Sequence, residues 1–84
     1  MNREQVLFHL QEAEEELSGT IAAMRDDLEY DFGEFLVAMQ HLYHHLNTAW
    51  NSRDATPEQV ANATDEDFNK WGRFPQDLPV MSTD

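Results

Sequence analysis

The apolar residues Val6, Leu10, Ala13, Leu17, Ile21, Met24 and Leu28 follow one another at intervals of 4, 3, 4, 4, 3 and 4. A β-strand cannot collect that set on one side, because its side chains alternate with period two. A mean step of about 3.7 is instead the stripe of a nearly straight α-helix. Phe32, Phe35, Leu36, Met39, Leu42, Tyr43, Leu46 and Trp50 form a second stripe of the same kind. Between the two stripes the stretch YDFGEF (30–35) breaks the pattern, with Asp31 as a helix N-cap and Glu34 three residues later in the manner of a capping box. The spacing predicts helices over 3–29 and 32–52, joined so tightly that they must run antiparallel as a hairpin. Gly19 costs about 1 kcal/mol relative to alanine inside a helix. The stripe stays in phase through Ser18-Gly19, so one continuous first helix is expected, with a break at Gly19 as the alternative.

Beyond the hairpin, TPEQ (56–59) is a helix start: Thr56 as N-cap, Pro57 at the first helical position, Gln59 closing a capping box. Thr64 ahead of Asp65, Glu66 and Asp67 is a second start, and Gly72 a stop. One or two short helices therefore fill 57–71, and 73–84 is read as an extended or disordered tail. The fold class is all-α in a single domain, 1–84.

A chain of 84 residues leaves much apolar surface uncovered, since domains of this size bury only about 60 to 65% of what the unfolded chain exposes. A second copy that covered this surface would complete a four-helix bundle, so a homodimer is the expected state. The formal charge of −12, from 17 acids against 5 lysines and arginines, argues against nucleic-acid partners and anionic membranes, both of which need basic residues. It permits a basic protein partner. The absence of cysteine removes disulfides and thiolate chemistry. MNREQVLFHL at the N-terminus has no apolar run suited to a signal peptide or membrane span, so a cytoplasmic protein is expected.

His41, His44 and His45 fall within one stretch, HLYHHLNTAW (41–50). At about 100° per residue, His41 lies roughly opposite the centre of the second stripe, flanked by His44 and His45. The three are thus expected on the side away from the first helix's stripe, as a polar face or an interface. A divalent metal held by His41 and His45 at i and i+4, with His44 as a further ligand, is the competing reading. Against it stand the ligand count, the Leu42 that replaces the glutamate of an HExxH helix, and the lack of any Glu-x-x-His. Asn47 and Asn51, one turn apart, are placed either to clamp a partner's backbone or to bond locally. EAEEE (12–16) reads as a solvated face, and Trp50 as core.

The block HLYHHLNTAWNSRD (41–54), with DFGEF before it and EDFNKW and FP after it, resembles a small uncharacterised bacterial family of helical proteins. The resemblance implies a helical fold and no activity. No catalytic motif is present, so the expectation is a non-enzymatic interaction module without a resident cofactor. Metal binding by the histidines and an acidic decoy for a basic protein are the alternatives.

Overall fold

The computed structural model describes residues 1–82; Thr83 and Asp84, the end of the tail, lie outside the described residues. Among the described residues the only regular structure is helical: α1 Arg3–Asp26, α2 Phe32–Asn51, α3 Pro57–Ala61 and α4 Asp65–Trp71. α1 and α2 pack together. Contacts between them run from Gln5 with Ser52, through His9 with His45, to Glu16 with His41, a descending register that makes the pair antiparallel.

The caps sit where residue chemistry places them. Asp31 accepts the Glu34 N–H at 2.9 Å and starts α2. Thr56 with Gln59, and Thr64 with Asp67, each form a reciprocal capping box. α1 continues unbroken through Gly19. It stops at Asp26, three residues short of the expected Glu29. The Asp27 carboxylate takes the Glu29 N–H at 2.9 Å, and the Tyr30 N–H donates to the Asp27 carbonyl. A side chain that caps its own backbone two residues on competes with the helix for that donor. At the other end Ser52 is the C-cap of α2 and no longer helical, and its hydroxyl donates to the Thr48 carbonyl at 2.5 Å.

The largest departure from the sequence reading is which sides of the helices meet. The apolar stripes do not face each other. The buried residues are Ala13 and Thr20 on α1 and Ala38, Asn47, Thr48 and Ala49 on α2, with Ser52 just beyond. Small side chains let two helix backbones approach closely, and here Ala13, Thr20 and Ala23 on α1 and Ala38, Thr48 and Ser52 on α2 are interleaved at helical spacing with His9 and Glu16 and with Glu34, His41 and His45. This seam is the core of the hairpin. Leu17, Ile21 and Met24 remain 45 to 52% exposed, and Leu28 at the turn is fully exposed.

α4 packs against the outer side of α2 through polar clamps. The Asn47 amide donates to the Gly72 carbonyl at 3.0 Å, and the Asn51 amide donates to the carbonyls of Trp71 and Arg73 at 2.8 and 2.7 Å. Of the two readings of these asparagines, a partner's backbone or a local bond, the structure has a third outcome: they clamp a distant backbone of the same chain. Gly72 eases this approach, because a Cβ there would lie 3.2 Å from His44 Nδ1 and the imidazole would have to shift by a few tenths of an ångström. Trp50, expected in the core, is half-buried. Its indole N–H donates to Asp77 at 2.8 Å, and the Arg53 guanidinium lies 4.1 Å above its ring. That indole bond, with help from Arg53, holds the Asp77 carboxyl below the usual range and fastens the tail to the end of α2.

Candidate functional site

Two features could carry function: the polar seam inside the hairpin and the apolar side it leaves open. The seam corrects the placement of the histidines. They do not lie away from α1; two of the three meet it. His45 Nδ1 is 3.0 Å from the Nδ1 of His9, and His41 Nδ1 is 3.7 Å from a Glu16 carboxylate oxygen. His44 turns toward α4, where it meets Gly72, while its ring lies edge-on to His45 with 5.2 Å between centroids. The physical reason is packing. Bulky residues orient a helical wheel, whereas the close approach of two helices is governed by the small ones.

This arrangement separates His41, His44 and His45 onto different partners instead of one point. Among the described residues no three His, Cys, Asp or Glu side chains converge as a metal would require. Sequence reasoning misses His9. A signal for it exists: His9 lies in register with Ala13, Thr20 and Ala23, the small residues of α1 that face α2, and with Glu16 among them.

The electrostatics of the seam follow from crowding of like groups. Burial, then the charges of His45 and His44, pull the His9 imidazole down to about 4. His44 is lowered for the same kinds of reason, burial first and then His45 and His41. No buried side-chain polar atom among the described residues lacks a hydrogen-bond partner, so the seam is polar yet satisfied.

The apolar side follows from helix geometry. At about 100° per residue, Leu10, Leu17, Ile21 and Met24 lie roughly 85° round α1 from the seam, and Phe35, Met39, Leu42 and Leu46 about 110° round α2 in the same sense. Rotation in the same sense on two antiparallel helices leads to the same side of the hairpin. Both stripes therefore open onto one surface. The opposite side is a shallow groove, with Ala23, Val37 and Ala38 in its floor and Glu15, Glu16, Asp31 and Glu34 at its rim. No described helix is long and apolar enough to cross a membrane. Comparison with protein-family models, with curated proteins and with solved structures gives no match to this chain.

Proposed function

We propose that this protein is a non-enzymatic interaction module that works as a homodimer, two hairpins joined through their apolar sides into a four-helix bundle. The single observation that carries this reading is the exposure of Leu10, Leu17, Ile21, Met24, Phe35, Leu36 and Leu46 in one hairpin whose helices already pack by other faces. Helices of 24 and 20 residues extend about 36 and 30 Å. Two side by side offer a face of roughly 600 Å² per copy, which brings a two-copy interface to the lower end of the range for stable complexes. A two-fold axis suits the surface, because an isologous contact joins one patch to its own copy and the apolar stripes of both helices form one patch. A net charge of −12 per copy is spread mostly over the outer surfaces of such a bundle, where it favours solubility.

Sedimentation at micromolar concentrations tests the reading, together with thermal melts over a hundredfold concentration range. The expected results are a two-copy mass and a midpoint that rises with concentration. A one-copy mass at high micromolar concentration, with a melt independent of concentration, would sink it.

A further inference from the structure

The seam holds one contact that the dimer does not use. His9 and His45 face each other across α1 and α2 with their Nδ1 atoms 3.0 Å apart. At that distance one Nδ1 must carry a hydrogen and the other a lone pair, so the neutral pair consists of two different tautomers. One added proton leaves this geometry intact: the donor ring takes it on its remote Nε2, and the contact becomes a charge-assisted N–H···N bond. A second added proton leaves two N–H groups pointed at each other and two cations in contact. The pair then has no attractive arrangement.

We propose that the His9–His45 contact is an acid-labile latch, which ties α1 to α2 while the pair carries at most one added proton and opens the middle of the hairpin when both rings are charged. The groups facing it support this. On α2 its neighbours are His41 and His44, which add positive charge in acid. On α1 the flanking residues are Phe8, edge-on to His9, and Glu12 one turn on. The Glu16 carboxylate is directed to His41. α4 and the chain after it reach the cluster through Gly72 and Phe74, neither of them ionisable. Around the latch the seam holds small side chains, Ala13, Ala38 and Ala49, so little apolar contact substitutes for it once broken. The ends of the hairpin are tied separately, by Gln5 with Ser52 and Asn2 with Arg53 and Ala55 at one end and by the turn at 27–31 at the other.

His9 titrates at about 4 in the fold, below the value of roughly 6.5 for an unfolded histidine. The proton therefore favours the unfolded chain. The stability this group contributes is fully present above about pH 6.5 and is lost as pH falls towards about 4.

The test combines imidazole NMR with thermal melts on the full chain, at one fixed protein concentration so that self-association drops out of the comparison. Above pH 7 the spectrum should show unlike tautomers for His9 and His45, and His9 should resist protonation until near pH 4. The melting midpoint should fall by on the order of 10 °C between pH 6.5 and 4. His9→Gln keeps a hydrogen-bonding amide at the site without the charge and should remove most of that fall, while carboxylate titration, common to both chains, remains. His9 titrating in the native chain at about 6.5 or above overturns the proposal, as does an equal drop in midpoint in the folded His9→Gln variant. If that variant fails to fold, the native chain's tautomers and titration decide alone.

Discussion

The inner seam of the hairpin and its apolar side are built from the same two helices, yet they follow different rules. The seam is narrow, made of alanine, threonine, serine and paired histidines, and it is closed. The apolar side is broad, made of leucine, isoleucine, methionine and phenylalanine, and it is open. Small residues set how near two backbones come, whereas large ones contribute most of the free energy of burial, about 25 cal/mol for each Å² of apolar surface. A hairpin that uses its small residues for the first task keeps its large ones available for a second layer. The position of a residue relative to the seam is therefore a better guide to its role than its hydrophobicity.

That contrast is open to attack from either side. The largest effect is expected on the apolar side. Leu17→Gln with Leu46→Gln removes two half-exposed side chains per copy, worth roughly 1 kcal/mol each when covered. Four such truncations in a two-fold dimer should weaken association by about a thousandfold. Sedimentation checks this, and an unchanged mass at low micromolar concentration would place the interface elsewhere. Next comes the seam. Ala38→Leu forces a bulky group between backbones that approach closely and should cost about 1 to 3 kcal/mol of stability by denaturant melt. The same exchange at Ala22, which is exposed on α1, should cost less than about 0.5 kcal/mol. Equal effects at the two alanines would show that α1 and α2 do not meet at Ala38.

A smaller effect tests the join between the hairpin and α4. Asn51→Ala leaves the carbonyls of Trp71 and Arg73 without their shared donor and should cost about 1 to 2 kcal/mol. Limited proteolysis should then cut near Gly72 before it cuts the hairpin. Cleavage that starts in α1 would mean that α4 contributes little to holding the fold together. The smallest effect is expected at the acids of α1. Glu15→Gln with Glu16→Gln should change stability by less than about 0.5 kcal/mol, because Glu15 is exposed and Glu16 pairs with a His41 that is itself exposed. A drop of several kcal/mol would make the acidic side of the seam structural.

Much of the architecture is written in local sequence. The period of the apolar stripes makes α1 and α2 helices, Gly19 included, since one glycine costs less than the stripe contributes. Asp31, Thr56 and Thr64 start their helices through side-chain oxygens that accept nearby backbone N–H groups, an interaction complete within four residues. The short turn dictates an antiparallel pair. What local sequence could not decide is rotation. Each helix carries two stripes, one large and one small, and either could face inward. Only the tertiary structure shows that the small ones do, which turns His45 toward His9, sets His41 beside Glu16 and leaves the leucines outside. The reason is physical: a hydrophobic stripe shows that a surface will be covered but not by which neighbour, whereas backbone approach, which depends on both helices at once, selects the face.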